Sequence, residues 1–301
     1  VSWSNQAYPN GFLLGSRNML YDSTCDFLST GASCHVYGIN ASTGAQIWSY
    51  DLTHGTTWIA LQNGVLYGVS YTAYFALNAA TGVPLWQKDL LRYTDQEAIM
   101  NPVVRGNVLS FVSCNATKQS SGFPGCYLYA FNANTGQELW HTTIGDTSAI
   151  QVTPTIMGGV VYAATNDGTL HAFRERNGEQ LWSANVDGGL IEQLFSNAGT
   201  IYVETTGSDS QTPHVEAFDA VTHAPRWGQI SATTQILTVM IPLIWQKPSS
   251  GGLASHPFVF DDGLIYIQSG SFIIVLDAKD GSQVTQYAVP GGALNGFTVV
   301  G

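Results

Sequence analysis

The side chains in this sequence that could carry chemistry are few, and its four cysteines are the most specific of them. Cys25 and Cys34 are separated by nine positions, and Cys114 and Cys126 by twelve. Zinc sites usually contain cysteines that are about two to four residues apart, and neither spacing is that short. Disulfide formation, metal binding and unpaired core thiols are the three interpretations, and the spacing favours disulfides.

Two glutamates, one threonine and three glutamines occur at positions predicted to begin the first strand of successive repeats. The full set is Thr57, Gln96, Glu97, Gln151, Glu192 and Gln193. Carboxylate and amide oxygens could coordinate a cation or bind a polar ligand, whereas a solvated channel lining is the alternative interpretation. The seven histidines show no metal-binding spacing such as H-x-H or H-E-x-x-H. We therefore predict no dedicated metal site.

An eleven-residue phrase that returns six times must position these side chains. It consists of a small residue, usually Asn or Asp two positions later, a Thr-Gly-like turn, and Trp four positions after the Gly. The tryptophans are Trp48, Trp86, Trp140, Trp182 and Trp227, and Thr285 takes this place in the sixth copy. A unit of this length cannot bury its apolar face alone, so consecutive units must stack.

The fourth copy indicates what one unit contains. Residues 153–157 and 160–164 are apolar runs separated by a Gly-Gly turn, residues 170–174 alternate, and residues 180–184 close the unit. Four strands joined by three tight turns form a propeller blade, and we label these strands A to D. No segment shows helical periodicity, so we predict an all-β fold.

We predict one β-propeller domain over residues 1–301, made of six full blades of four antiparallel strands. Both terminal segments are expected to join at the seam, where the ring of blades closes, with Trp3 on a D-type strand. A partial seventh blade is the alternative. The predicted units are residues 10–50, 56–90, 98–144, 151–186, 191–230 and 255–289, with an insertion at residues 231–254.

The phrase resembles the tryptophan-docking motif of the PQQ-type (pyrroloquinoline quinone) propeller repeat, A-x-D-x-x-T-G-x-x-x-W. The resemblance covers roughly residues 10 to 289. This family includes quinoprotein dehydrogenases, the outer-membrane assembly lipoprotein BamB, and extracellular sensor propellers. It implies the fold, but because the motif is a packing device shared by enzymes and non-enzymes, it does not imply an activity.

Aligning the first unit on the third places Cys25 and Cys114 after strand B, and Cys34 and Cys126 before or at the start of strand C. We therefore predict that Cys25 pairs with Cys34 and Cys114 with Cys126, each pair closing a B–C hairpin. Disulfides imply an oxidising compartment. The chain begins at Val1 without a signal sequence, which we interpret as a mature or trimmed chain. We predict a secreted, periplasmic or cell-surface protein.

Composition excludes some functions. A net charge of −11 gives no basic patch for nucleic acid. The longest apolar run, residues 236–245, is too short to span a membrane, for which about 20 residues are needed. We expect a monomer.

Strand order separates two ends of each blade. The A–B and C–D turns lie at one end, which we call the turn end, and the B–C and D–A connections lie at the other, the loop end. The insertion and both cysteine hairpins belong to the loop end. Ile241, Leu243 and Trp245 in the insertion are candidate partner-binding residues, and a lid or an extra strand is the alternative.

We predict a non-catalytic extracytoplasmic propeller that binds a protein, peptide or glycan through the loop ends, is similar in architecture to BamB and sensor propellers, and needs no cofactor. The alternatives are a PQQ-dependent dehydrogenase with Ca²⁺, or a sensor of a small molecule or cation. Quinoprotein dehydrogenases have eight blades, adjacent cysteines and a catalytic Asp in a recognisable context, and none of these occurs in the sequence.

Overall fold

The computed structural model describes residues 12–16, 18–28, 31–52, 58–70, 73–90, 97–99, 101–115, 126–144, 152–165, 168–186, 191–205, 214–222, 224–231, 258–261, 263–269 and 272–288. None of these residues is helical, and so the described part of the chain contains no helix that could cross a membrane. The described residues form strands arranged in six antiparallel sheets. The all-β prediction is confirmed.

The first three sheets follow one another in chain order. The first contains β1 (Phe12–Ser16), β2 (Met19–Leu28), β3 (Gly31–Asn40) and β4 (Gln46–Leu52). The second contains β5 (Trp58–Gln62), β6 (Val65–Val69), β7 (Ala73–Asn78) and β8 (Pro84–Asp89). The third contains β9 (Glu97–Ile99), β10 (Val103–Arg105), β11 (Val108–Asn115), β12 (Cys126–Asn132) and β13 (Glu138–Thr143).

The remaining three sheets repeat the same order. The fourth contains β14 (Thr155–Met157), β15 (Val160–Ala164), β16 (Thr169–Arg174) and β17 (Gln180–Asn185). The fifth contains β18 (Ile191–Asn197), β19 (Thr200–Thr205), β20 (His214–Asp219) and β21 (Pro225–Ser231). The sixth contains β22 (Phe258–Asp261), β23 (Leu264–Ser269), β24 (Phe272–Asp277) and β25 (Gln283–Ala288).

Each sheet pairs its strands in sequence, A with B, B with C and C with D. The third sheet departs from this pattern because its A strand is divided into β9 and β10, which both pair with β11. Pro102 lies in the interruption, and a proline cannot donate the N–H that a continuous ladder requires.

The chain divides into two compact units, residues 1–163 with 171–183, and residues 164–170 with 184–301. One domain over residues 1–301 remains a prediction. Residues 1–11 and 289–301, predicted to meet at the seam, lie outside the described residues.

The core lies between successive sheets. One buried cluster joins Trp48 and Val36 of the first sheet to Leu66 and Phe75 of the second. Similar clusters join the second sheet to the third and the third to the fourth, within the first unit, and the fifth to the sixth, within the second unit. Within each unit, these neighbouring sheets therefore bury apolar side chains against each other, as stacking of the repeats requires.

Candidate interaction ends of the blades

The C–D turns are closed by their own side chains. In the second sheet, Asn78 Oδ1 accepts hydrogen bonds from the N–H groups of Ala80 (3.0 Å) and Thr81 (3.1 Å). The Gly82 N–H donates to the Asn78 carbonyl (2.8 Å), and Gly82 has a φ of +70°, which favours glycine. Asn40, Asn132 and Asp219 accept equivalent bonds in their own turns. The Asx-x-x-Thr-Gly part of the repeated phrase therefore specifies this turn.

The same turns receive the tryptophan of the preceding blade. The indole Nε1–H of Trp48 donates to the Ala79 carbonyl (3.1 Å), that of Trp86 to the Ala133 carbonyl (2.9 Å), and that of Trp140 to the Glu175 carbonyl (2.7 Å). The expected contact between the tryptophans and the next blade is confirmed for these three residues. Each indole satisfies its polar group while it buries a large apolar ring.

Polar groups at the A–B turns also join neighbouring blades. The Gln62 side-chain amide donates to the Gly106 carbonyl (2.8 Å) and accepts from the Gly106 N–H (3.0 Å). Arg105 donates to the Ile156 carbonyl (3.0 Å). Burial raises the pKa of Glu175, and the positive charge of Arg105 partly opposes this shift. The turn ends in the first unit thus use many of their polar groups to hold the blades together.

Tyr74 makes a further link between the second and third sheets. Its hydroxyl donates to the Gly136 carbonyl (3.1 Å), and its ring centroid lies 4.3 Å from that of Phe131. Burial, with the charge of Glu138 as a smaller cause, raises the pKa of Tyr74 to about 12. The hydroxyl therefore stays protonated, and able to donate, across the neutral range.

The loop ends of the first and third sheets contain the cysteines. Cys114 and Cys126 lie directly opposite each other on β11 and β12 and form a disulfide, as predicted. Cys34 is also disulfide-bonded, and the backbone register places Cys25 opposite it. Part of the prediction was wrong. Neither Cys25 nor Cys114 follows strand B, because β2 continues to Leu28 and β11 to Asn115. Cys34 does not open strand C either, because β3 already begins at Gly31. The positions of Cys25 and Cys34 therefore lie inside the ladder.

The polar residues predicted to begin the first strand of successive repeats, and to bind a cation or a polar ligand, fall in both compact units. Glu97 lies on β9, opposite Asn115, in the first unit. Glu192 and Gln193 lie on β18 in the second unit, and a register shift between Ile191 and Gln193 makes Glu192 the extra residue of a β-bulge. Thr57, Gln96 and Gln151 lie outside the described residues, as do Ile241, Leu243 and Trp245. Their proposed roles remain predictions.

Two buried carboxylates of the fifth sheet escaped the sequence analysis. Glu204 and Glu216 are only 4% and 6% exposed. Glu204 is paired with Val215, and Glu216 with Val203, so that the two glutamates lie on opposite faces of the sheet. Gln193 is paired with Glu204 and lies on the same face, which places one predicted polar residue beside a buried carboxylate. The missed signal is a glutamate inside a β-branched or aromatic run.

The described residues do not fit the quinone and Ca²⁺ site of the dehydrogenases. Cys114 is bonded to Cys126, twelve positions away, and the sequence contains no adjacent cysteines. Among the residues that the structure describes, no three or more His, Cys, Asp or Glu side chains converge as metal ligands. We therefore derive no reaction step through a quinone.

Comparison with known proteins relates this architecture to others. A family model described as "Outer membrane protein assembly factor BamB" matches residues 32–121 and 126–291. BamB of Bordetella pertussis is 27% identical over 52% of this chain and 34% of its own length. BamB of Moranella endobia is 29% identical over 52% of this chain and 42% of its own length. The matched part thus spans less than half of either curated relative.

Solved structures share the fold at low identity. The crystal structure of BamB from Moraxella catarrhalis superposes with a TM-score of 0.59 at 17% identity, covering 94% of this chain and 74% of that one. The WD40 domain of Neurospora crassa Pan2 superposes with a TM-score of 0.61 at 13% identity, covering 97% of this chain and 84% of that one. Together with the four-stranded sheets, these matches show a β-propeller. Because the family model matches well over half of its residues, the chain belongs to the PQQ-type β-propeller repeat family described as outer membrane protein assembly factor BamB.

Proposed function

We propose that this chain is a non-catalytic, extracytoplasmic scaffold that binds a protein through the loop ends of its blades. The observation that carries this proposal is the difference between the two ends of a blade. At the turn ends, side chains such as Asn78, Gln62 and Trp140 are used within turns or between blades. Surfaces already committed to internal bonds are poor places for a variable recognition site.

The loop ends differ from one blade to the next. The B–C connection of the second sheet spans only a few residues between β6 and β7, whereas that of the third runs from Asn115 to Cys126 and is closed by a disulfide. A disulfide at the base of a long hairpin restrains the two ends of the loop, and such a restraint lowers the entropy lost on binding. Disulfide bonds also support a location outside the cytoplasm.

The names of the relatives favour a protein partner over a glycan, because these relatives are outer membrane protein assembly factors. By analogy, the partner of this chain is a protein of the cell envelope. The insertion at residues 231–254, with Trp245 as its anchor, and the polar residues Glu192 and Gln193 contribute to the binding surface.

Site-specific photo-crosslinking tests the proposal. A benzophenone amino acid placed at Gln119 or Gln211, in the B–C connections of the third and fifth blades, should capture one or a few proteins from an envelope extract. The same probe at Gln137 or Ser282, in C–D turns, should capture none of them. Capture from the turn positions in preference to the loop positions would contradict the assignment.

One double variant and one assay complete the test. Trp245→Ala with Glu192→Gln should preserve the circular dichroism spectrum and weaken capture about tenfold or more, as for loss of an interface anchor. The proposal that the protein is non-catalytic would be wrong if the protein, supplied with PQQ and Ca²⁺, bound the quinone stoichiometrically and reduced a dye with alcohols or sugars.

A further inference from the structure

Four Asn-Gly pairs occur in the sequence, and the structure describes two of them, at residues 63–64 and 177–178. In such a pair the main-chain nitrogen of the glycine can attack the side-chain carbonyl carbon of the asparagine, because glycine has no Cβ to obstruct the approach. Asn63 and Asn177 are both exposed. The difference between the two pairs therefore lies in the turns that hold them.

The pair at residues 63–64 forms the whole A–B turn of the second blade, since Gln62 and Val65 are paired across it. The φ values of Asn63 and Gly64 are +51° and +77°, as in a type I′ turn. A Cβ added at Gly64 would have nothing within 4 Å. No hydrogen bond among the described residues involves the Gly64 N–H or the Asn63 carbonyl. The peptide group between these two residues is therefore free to rotate.

Rotation of that peptide group brings the reacting atoms together. It converts a type I′ turn into a type II′ turn without displacing the flanking strands, and ψ of the first central residue is then about −120°. At this ψ the Gly64 nitrogen is eclipsed with the Cβ of Asn63, so that Asn63 Cγ comes within reach of a five-membered ring closure.

The pair in the fourth blade is held in place by its C–D turn. The Gly178 N–H donates to the Arg174 carbonyl (2.9 Å), and Asn177 Oδ1 accepts a hydrogen bond from the Glu179 N–H (3.4 Å). The ring of Trp140 covers Gly178, since a methyl group added there would lie 2.7 Å from a ring atom. The Gly178 nitrogen can attack only after this turn opens, and the opening of a packed turn costs free energy.

We propose that Asn63 is a site of spontaneous deamidation, whereas Asn177 is protected by its turn. The Gly64 nitrogen loses its proton and forms a bond to Asn63 Cγ, the bond from Cγ to Nδ2 breaks, and ammonia leaves. Water then opens the five-membered imide at either carbonyl, which gives aspartate or isoaspartate. In isoaspartate the side-chain methylene becomes part of the main chain.

The product alters a contact between blades. Gln62, which precedes Asn63, exchanges two hydrogen bonds with the main chain of Gly106 in the third blade. On the other side of the turn, the Gly64 carbonyl accepts a hydrogen bond from the Ala79 N–H (2.9 Å). Isoaspartate adds a main-chain atom between these two anchoring points, so that the turn loses its type I′ geometry and the bonds on either side weaken.

Peptide mapping of the native chain during incubation in mildly alkaline buffer tests the proposal. The exchange of –NH₂ for –OH raises the peptide mass, and chromatography separates isoaspartate from aspartate. The peptide with Asn63 should convert at least about tenfold faster than the peptide with Asn177. In a chain unfolded by guanidinium chloride the two should convert at similar rates, because the turn no longer protects Asn177. Equal rates in the native chain, or slower conversion at Asn63, would overturn the proposal.

Asn63→Gly is the matched control, because a Gly-Gly pair also suits a type I′ turn and has no carboxamide. Incubation should lower the denaturant midpoint of the parent chain and should lower that of Asn63→Gly less. Equal losses in the two chains would contradict the effect of the product on the contact between blades.

Discussion

The indole of Trp48 fills the space that a side chain at Gly38, its partner on the adjacent strand, would occupy. The residue opposite the tryptophan is also small in other blades: Ala76 is paired with Trp86, and Ala130 with Trp140. In the sixth sheet Thr285 replaces the tryptophan, and its partner is the larger Val275. The small residue that opens the repeated phrase is thus explained by the volume of the ring across the strand pair.

Trp140→Ala should lower the free energy of unfolding by about 3–5 kcal/mol, because it removes a buried ring and the hydrogen bond to the Glu175 carbonyl. Urea denaturation measures this loss. Leu139→Ala, on the exposed side of the same strand, is the matched control and should change stability by about 0.5 kcal/mol at most. A loss under about 1 kcal/mol for Trp140→Ala would mean that the indole contributes little between blades.

Gly82→Ala should be more destabilising than Gly64→Ala by about 1–3 kcal/mol, the usual cost of overpacking. Both glycines have positive φ values, +70° and +77°, so that the backbone penalty is shared. The added methyl at Gly82 would meet the Trp48 ring at 2.6 Å, whereas at Gly64 it meets open space. Equal unfolding midpoints for the two variants would show that the ring moves aside without cost.

Replacing both Cys114 and Cys126 by Ala should lower stability by about 3 kcal/mol, since their disulfide closes a loop of 12 residues. Urea denaturation under non-reducing conditions measures the change. Peptide mapping of the native chain should recover Cys114 linked to Cys126 and Cys25 linked to Cys34. A cross-link such as Cys25 to Cys114 would reject the blade alignment.

Tyr74→Phe should cost about 1 kcal/mol at pH 8, because the hydroxyl that donates to the Gly136 carbonyl is lost. The pKa of Tyr74 is raised to about 12 in the fold, against about 10 in an unfolded chain. A raised pKa gives a contribution to stability that is complete below pH 10 and declines as the pH rises towards 12.

The alkaline fall in stability should therefore be less steep in Tyr74→Phe than in the parent chain, when urea denaturation is compared at pH 8 and pH 11. Tyr287→Phe is the control at pH 8, because this ring is exposed and its loss of a hydroxyl should change little. Identical slopes for the parent and Tyr74→Phe would contradict the assignment.

The blade pattern could be predicted closely from the sequence. In the fourth unit, strands predicted at residues 160–164 and 180–184 are found as Val160–Ala164 and Gln180–Asn185. Turn glycines and alternating side chains are local signals, and local signals fix strand limits well. The limits of the B–C hairpin in the first blade are harder to predict. Residues 26–28 and 31–33 extend the ladder past Cys25 and Cys34, and their sequence shows no clear alternation of apolar and polar residues.

Less of the candidate site could be predicted. The burial of Glu204 and Glu216 depends on the strands and sheets packed around them, which a strand pattern does not contain. The acceptors of the indole N–H groups are main-chain carbonyls, at Ala79, Ala133 and Glu175, and such groups have no residue signature. Only the repeated geometry reveals them.

Those carbonyl acceptors have a consequence for how the chain can change over time. Because the bond from each tryptophan ends on the backbone, the residue that supplies the acceptor is interchangeable, and it is alanine in two blades and glutamate in another. A duplicated or transplanted blade would find a working attachment point next to any other blade that keeps the turn. Blade number can thus grow or shrink by copying single units, while the loops of each copy diverge on their own.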